Sequence, residues 1–249
     1  MNDQSCLQVS GVGKRYGGLE ALANIHLNVR EGIRQAILGP NGAGKTTLFK
    51  ILSGEIAPNS GTVTFRGRDI THYPPYRRAA MGIARTFQVT TLFPRLTTME
   101  NALLAVQGIR RTKYIPCRAV ERMGPLVQEA RHVLDQVGLA GREMLPVDSL
   151  AYGEQRQLEI GLALASRPSL LLLDEPTAGL ARAEVARIVA LLHGLPRGIT
   201  VLFIEHDMDV AFALAETVTV LSQGQMIAEG PLDAVRANRL VQEIYLGRS

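Results

Sequence analysis

The chain has 249 residues, of which 46% are hydrophobic and 20% are charged, and its formal net charge is +4 at pH 7. That composition is ordinary for a folded globular protein, and the length fits one large α/β domain or a core with a small subdomain. No run approaches the roughly 18 consecutive apolar residues of a membrane span, so any work at a membrane would need a partner. The small positive excess suits nucleotides, anionic lipid or nucleic acid, or simply a solvated surface.

The N-terminal segment and the two cysteines, Cys6 and Cys117, bear on the compartment. The segment MNDQSCLQVS has no apolar core of the kind that a secretion signal carries. The cysteines lie far apart and have no metal-ligand spacing, so two unpaired thiols in a reducing compartment are the simplest interpretation. We therefore expect a cytoplasmic protein.

The first third of the chain is predicted to consist mostly of strands. Short, partly alternating apolar runs are separated by turn residues, and this pattern predicts an early antiparallel patch. Apolar residues at helical spacing predict a helix over 44–52. The predicted strands cover 7–12, 22–29, 35–38, 62–66 and 83–87.

Helical spacing takes over in the middle of the chain, and strands and helices alternate after it. The middle helices are predicted at 99–106, 120–137 and 154–165, followed by strands at 170–173, 200–204 and 217–221 and helices at 182–195 and 208–215. This alternation predicts a parallel sheet with crossover helices. We therefore predict a single domain over 1–249, with a core from 1–96 and 166–249 and a helical subdomain inserted at 97–165.

The segment GPNGAGKTT at residues 39–47 satisfies G-x-x-x-x-G-K-S/T between a short strand and a helix. Glycines let successive N–H groups point inward at an anion, and the helix N-terminus adds its positive end. Lys45 should reach the β- and γ-phosphates and the Thr46 hydroxyl should bind Mg²⁺; a turn that only caps a helix is the alternative. The predicted phosphate-binding residues are Gly39, Pro40, Asn41, Gly42, Ala43, Gly44, Lys45, Thr46 and Thr47.

Two adjacent acids, Asp174 and Glu175, end the apolar run LLLL. A lone buried carboxylate is costly unless it has a partner. Beside the phosphate loop, Asp174 suits the second metal-holding group of a P-loop NTPase, and Glu175 can polarise the water that attacks the γ-phosphate. The alternative is a pair of acids that merely begins a helix.

Four segments in this order together resemble the ATP-binding cassette (ABC) family. They are GPNGAGKTT, the glutamine of ARTFQ, LAYGEQRQLEIGLALA, and LLLLDEP followed by LFIEHD. The similarity covers essentially the whole chain and is strongest to the ATPase subunits of branched-chain amino-acid and related importers, through LAYG, IEHDM and YLG. The resemblance implies an α/β fold: a RecA-like P-loop NTPase core with an N-terminal antiparallel β patch and an inserted helical subdomain.

The resemblance also implies roles for residues outside the phosphate loop. Tyr16 should stack on the adenine of ATP, and Gln88 should be a catalytic and metal-binding residue that also faces the transmembrane partner. His206 should contact the γ-phosphate and hold the attacking water with Glu175. The signature segment should cover the γ-phosphate of ATP on a second subunit; it consists of Leu150, Ala151, Tyr152, Gly153 and Glu154.

Two positions depart from the general family pattern. Ala151 stands where the signature usually has a serine, so one hydroxyl contact to the γ-phosphate is missing or replaced. Ala181 stands where an aspartate normally links the two subunits. The catalytic residues are intact, so we still expect ATP hydrolysis with Mg²⁺.

The leading hypothesis is an ATPase that energises an importer for branched-chain amino acids or related polar solutes. Its expected partners are transmembrane permease subunits, a second ATP-binding subunit and, indirectly, an extracytoplasmic solute-binding protein; it should sit at the cytoplasmic face of the membrane, with no nucleic acid bound. One alternative is a soluble ABC ATPase acting on nucleic acid or ribosomes, although such translation proteins usually carry two cassettes. A G protein or small-molecule kinase is a third, and the guanine-reading N-K-x-D element is absent.

Overall fold

The computed structural model describes residues 4–86, 92–108 and 124–246. Packing divides the chain into two units. The first comprises Met1–Arg85, Ser169–Ala178 and Leu195–Ser249, and the second comprises Thr86–Pro168 and Gly179–Gly194. The second unit thus includes more of the chain than the predicted insertion at 97–165, because a helix after the two acids groups with it.

The described residues form ten strands and nine α-helices. The strands are β1 (Ser5–Tyr16), β2 (Leu19–Arg30), β3 (Arg34–Leu38), β4 (Ser60–Phe65), β5 (Arg68–Asp69), β6 (Ile83–Arg85), β7 (Leu170–Asp174), β8 (Thr200–Ile204), β9 (Thr217–Ser222) and β10 (Gln225–Gly230). The helices are α1 (Lys45–Ser53), α2 (Pro75–Ala80), α3 (Thr98–Gly108), α4 (Gly124–Gln136), α5 (Tyr152–Ala165), α6 (Arg182–Gly194), α7 (Met208–Leu214), α8 (Leu232–Arg236) and α9 (Arg239–Leu246).

A six-stranded sheet carries the first unit, in the order β10-β9-β3-β8-β7-β6. All neighbours pair in parallel except β10, which pairs antiparallel with β9. Every residue of β3, β7 and β8 is buried, which explains why these strands are mostly apolar, with little of the alternation of a half-exposed sheet. The predicted parallel sheet is confirmed, and it places the carboxyl ends of β3, β7 and β8 side by side.

A second sheet of four strands, ordered β2-β1-β4-β5, is antiparallel throughout. It confirms the predicted early antiparallel patch. The long β1–β2 hairpin turns at Gly17 and Gly18, where Gly17 has a φ of 59°. One hydrophobic core joins this sheet to α1 and to the parallel sheet through residues such as Leu22, Phe49 and Leu172.

The second unit is helical and contains α3, α4, α5 and α6, with a 3₁₀ turn at Val147–Ser149. An isolated antiparallel β-bridge in this unit pairs Thr97, which precedes α3, with Pro146, which precedes the 3₁₀ turn. The predicted helix from residue 120 is described from Gly124 onward, and the end of the predicted strand at 83–87 lies outside the described residues. In the part of the chain that is described, no helix combines the length and apolar character that crossing a membrane requires.

The short elements β5, α2, β10, α8 and α9 were not predicted from the sequence. Most of them span only a turn or two, so periodicity has little length over which to act. They complete the sheet edges and the C-terminal end of the first unit without changing its order of strands.

Candidate functional site

The phosphate loop occupies residues 39–44, between the buried end of β3 and the first residue of α1. Two of its glycines are required by close backbone approaches. A Cβ on Gly39 would lie 2.2 Å from the carbonyl oxygen of Leu221, and one on Gly44 would lie 2.6 Å from that of Ala21. Gly44 also has a φ of 99°, in the left-handed region that favours glycine. The loop is therefore a backbone cradle pressed against β9 and β2.

Lys45 is held over this loop. It is 5% exposed, and its Nζ donates to the carbonyl oxygens of Gly39 at 2.5 Å and Pro40 at 3.0 Å. Burial lowers the pKa of Lys45, while the nearby charges of Glu175 and Asp174 act in the opposite direction. The ammonium thus lies between the loop and the two acids, where an anionic ligand in the cradle would meet it.

The remaining predicted loop residues differ in exposure. Ala43 is buried, Thr47 is half-buried, and the others are open to solvent: Pro40, Asn41, Gly42 and Thr46. Thr46 lies in the first turn of α1, one residue after Lys45, so its hydroxyl is available to a ligand at that helix end.

Asp174 is the last residue of β7 and is only 1% exposed. Its Oδ2 accepts from Nη2 of Arg85 at 2.9 Å, and Nη1 of the same guanidinium donates to Ser53 Oγ at 3.0 Å and Glu55 Oε1 at 2.5 Å. Arg85 ends the neighbouring strand β6. The buried carboxylate at the end of an apolar strand therefore has a cationic partner, Arg85. The motif ARTFQ contains this arginine, but nothing in the local pattern indicated the pairing.

Glu175 follows directly and has a left-handed backbone with a φ of 50°. Its Oε1 contacts Nε2 of His206, whose side chain is 43% exposed. His206 comes two residues after the end of β8, the strand next to β7. The structure therefore brings together the two residues that the sequence assigned to the attacking water.

Tyr16 ends β1 and is 47% exposed. The Nζ of Lys14 lies 5.4 Å from the centroid of its ring. The exposed ring leaves an aromatic face for stacking on a base. The hairpin that carries it adjoins the phosphate loop, since Gly44 approaches Ala21 on β2.

The signature segment begins α5 in the helical unit. Leu150 is buried, Tyr152 is half-exposed, and the N–H of Ala151 donates to Oε2 of Glu154 at 3.0 Å. Ala151 is the N-cap residue of α5, and it lacks the hydroxyl that a signature serine would offer to the γ-phosphate.

Glu184, in the first turn of α6, connects this segment to Ala181. Its Oε1 accepts from the N–H of Gly153 at 3.2 Å and its Oε2 from that of Ala181 at 2.9 Å. A Cβ on Gly153 would lie 2.5 Å from Glu184 Oε1. The carboxylate of Glu184 therefore binds both Gly153 of the signature segment and Ala181, one of the two departures from the family pattern. No local pattern in the sequence indicated this link.

The donor set fits a nucleotide with Mg²⁺. The glycine cradle and Lys45 suit phosphates, and a hydroxyl and a carboxylate are the hard oxygen ligands that Mg²⁺ prefers together with substrate phosphates. Within 4–86, 92–108 and 124–246, no group of three or more His, Cys, Asp or Glu side chains could hold a metal ion. Gln88, the third predicted metal residue, lies outside the described residues.

Together, the parallel sheet, the loop between β3 and α1 and the acid at the end of β7 define a P-loop nucleotide-binding protein. The family profile described as "ABC transporter" matches residues 22–178, and one described as "Branched-chain amino acid ATP-binding cassette transporter" matches residues 225–249. The chain belongs to the ABC transporter family and is an ATPase of the ATP-binding cassette type.

Named relatives are similar over nearly their whole length. The high-affinity branched-chain amino acid transport ATP-binding protein BraF of Pseudomonas aeruginosa is 37% identical, with 98% of each chain covered. LivG of Escherichia coli, which carries the same description, is 34% identical, with 99% of each chain covered.

Solved structures of ATP-binding cassettes are similar as well. MJ1267, an ATP-binding cassette of an ABC transporter in its ADP conformation, superposes with a TM-score of 0.85 at 30% identity, covering 98% of this chain and 99% of that one. The dimeric bacterial cassette MJ0796 superposes with a TM-score of 0.77 at 28% identity, covering 91% of this chain and 98% of that one. The predicted fold class is therefore confirmed.

Proposed function

We propose that this chain is the ATP-hydrolysing subunit of an importer for branched-chain amino acids or related polar solutes. The observation that carries the proposal is the full-length similarity to proteins described as branched-chain amino acid transport ATP-binding proteins. The match of the C-terminal residues 225–249 to a profile of the same description supports it. The chain would work at the cytoplasmic face of the membrane, attached to permease subunits that receive the solute from an extracytoplasmic binding protein.

Binding of ATP would use both rigid backbone and side chains. The N–H groups of the 39–44 loop would hold the phosphates, Lys45 would exchange its carbonyl partners for β- and γ-phosphate oxygens, and Tyr16 would stack on adenine. Thr46, Asp174 and Gln88 would hold Mg²⁺, which when bound neutralises charge on the phosphates. Arg85 offsets the burial of Asp174, so the carboxylate is oriented before the nucleotide arrives.

Hydrolysis would fall to Glu175 and His206. The Glu175 carboxylate would accept a proton from the attacking water, and His206, in contact with it, would hold that water and the γ-phosphate. Lys45 would stabilise the negative charge on the phosphoryl oxygens. The signature segment, 150–154, would complete the site on a second cassette, an arrangement supported by the dimer described for MJ0796.

The substitution Glu175→Gln tests the catalytic assignment. The amide keeps the shape of the side chain but cannot take a proton, so turnover should fall about 10²- to 10⁴-fold while ATP affinity stays close to that of the wild type. The matched control is Glu243→Gln, a surface position on α9 whose carboxylate accepts a hydrogen bond from Arg239. Near wild-type turnover in Glu175→Gln would remove Glu175 from the role of base.

Reconstitution tests the solute class. The chain is assembled with its permease subunits and binding protein in proteoliposomes, and ATP turnover is followed with and without external leucine, isoleucine or valine. We expect these amino acids to stimulate turnover. Stimulation by a different solute class alone would contradict the substrate proposal and leave the ATPase assignment in place.

A further inference from the structure

The segment after β7 is joined at three points to the last residue of β8 and the segment that follows it. The N–H of Glu175 donates to the carbonyl oxygen of Ile204 at 3.1 Å. Both the N–H and the hydroxyl of Thr177 donate to Oε1 of Glu205, at 3.1 and 2.8 Å. The third contact is the one between Glu175 and His206. The contact between Glu175 and His206 is thus flanked by the backbone hydrogen bond between Glu175 and Ile204 and by the hydrogen bonds from Thr177 to Glu205.

The backbone of Glu175 needs support of this kind. Its φ of 50° is in the left-handed region, where a residue with a Cβ is disfavoured. Such conformations cluster at functional sites and persist only where the surrounding structure over-determines them. Fixing Thr177, two residues further along, restricts how the chain can leave that conformation.

Glu205 is placed to hold Thr177 and not to react. It is 3% exposed and Thr177 is 7% exposed. Burial raises the pKa of Glu205, its hydrogen bonds with Thr177 and with the N–H of His206 act in the opposite direction, and the charge of Glu175 adds to the rise. A buried carboxyl that accepts two bonds from one residue forms a directional link. Glu205 directly precedes His206 in the chain, and Thr177 follows Glu175 by two residues. The hydrogen bonds between Glu205 and Thr177 therefore restrict both Glu175 and His206.

We propose that Glu205 is a positioning residue for ATP hydrolysis. By accepting both hydrogen bonds from Thr177, it holds Glu175 in its left-handed conformation and keeps that carboxylate against His206. The proposal rests on the proposed function for the roles of Glu175 and His206. Glu205 itself would not contact the nucleotide.

Matched substitutions on both sides of the link test this. Glu205→Ala removes the acceptor, and Thr177→Val removes the hydroxyl while keeping the shape. Thr177→Ser keeps the hydroxyl and Glu205→Gln keeps one acceptor oxygen. We expect Glu205→Ala and Thr177→Val to lower kcat on the order of 10- to 100-fold, as for a misplaced catalytic group, with unchanged ATP affinity. Thr177→Ser should stay close to wild type and Glu205→Gln should recover most of the loss.

The second measurement does not depend on turnover. The ring resonances of His206 are followed by NMR without nucleotide, assigned through the spectrum of His206→Gln. They should shift in Glu205→Ala and Thr177→Val and remain near their wild-type positions in Thr177→Ser. Unmoved resonances in both disruptive variants overturn the proposal, whatever the rates. So does a parallel fall in kcat and ATP affinity, which would indicate a role in folding alone.

The same experiment separates this proposal from the proposed function. A wild-type chain that fails to hydrolyse ATP even with its permease refutes the proposed function. The His206 spectra then still show whether Glu205 and Thr177 position the histidine. A hydrolysing wild type whose Glu205→Ala variant keeps its full kcat refutes the positioning role alone.

Discussion

Replacing Arg78 should destabilise the protein more than any single surface change, because its guanidinium is buried and fully engaged. Arg78 is 1% exposed. Its five hydrogen bonds go to the carbonyl oxygens of Ile51, Leu52, Ile70, Thr71 and Tyr73, at 2.6, 2.8, 2.7, 3.0 and 3.0 Å respectively. The first two carbonyls belong to the last turn of α1, at the negative end of the helix, and the carbonyl oxygen of Ile51 also accepts from the N–H of Gly54 at 3.1 Å.

The magnitude follows from these bonds. Burial lowers the pKa of Arg78 to about 10, so the group stays protonated at neutral pH. In Arg78→Met five carbonyls lose a charged donor. Those of Ile51 and Ile70 keep a backbone donor, from Gly54 and Tyr73, and each carbonyl left without a partner costs about 1–3 kcal/mol. Removing the desolvated charge offsets part of this, so a net loss of about 3–5 kcal/mol is expected, as for other broken buried charge networks. For a chain of this length that lowers Tm by roughly 6–20 °C.

Thermal unfolding followed by circular dichroism measures this, with Arg77→Met as the control. Arg77 is the preceding residue of the same helix but is exposed, and its guanidinium carbon lies 5.6 Å from the centroid of the Tyr73 ring. Its replacement should therefore change stability by no more than about 1 kcal/mol. Arg78→Lys keeps the charge with fewer donors and should fall between the two. Equal Tm values for Arg77→Met and Arg78→Met would refute the reasoning.

Three further outcomes are expected. Tyr16→Ala should weaken ATP binding about 5- to 150-fold, from roughly 1–3 kcal/mol of lost stacking, whereas Tyr16→Phe should not; equal calorimetric affinities for all three proteins would exclude the stacking. Asp174→Asn should make ATP affinity less dependent on Mg²⁺. The affinity is measured with Mg²⁺ and with EDTA, and a ratio of the two affinities equal to that of the wild type would argue against Asp174 as a metal ligand. Burial raises the folded-state pKa of Glu205 above its ordinary 4.5, so the contribution of Glu205 to stability is lost as pH rises through that pKa. The Tm of Glu205→Gln relative to wild type should therefore increase as the pH rises above 4.5, and a constant difference would contradict this.

The phosphate loop was predictable because its requirements are local. A tight turn between strand and helix needs glycine at particular positions, and Gly39 and Gly44 are where a Cβ would collide with neighbouring backbone. The buried strands β7 and β8 were equally clear, since parallel strands covered on both faces read as continuous apolar runs. The domain boundaries and the individual roles of Gln88 and Tyr16 remain predictions.

Arg85, Glu184 and Glu205 could not be assigned from the sequence. Arg85 precedes its partner Asp174 by 89 positions, and Glu205 follows Thr177 by 28. In the sequence each is one charged residue among many. What distinguishes them is burial beside a specific partner, and burial depends on which strands become neighbours.

By itself, then, the sequence determined the strand–loop–helix cradle, the alternation of strands and helices, and the two acids at the end of an apolar strand. These follow from the periodicity of one segment and from the conformational freedom of glycine, both of which act over a few residues. Only the tertiary structure decided that β6 and β8 flank β7, and so that Arg85 meets Asp174. The resemblance to the ABC family already implied that His206 acts with Glu175, and the order of strands supplies the physical cause of their contact. Strand order is settled by packing the whole sheet, and contacts between the ends of neighbouring strands exist only once that order is in place.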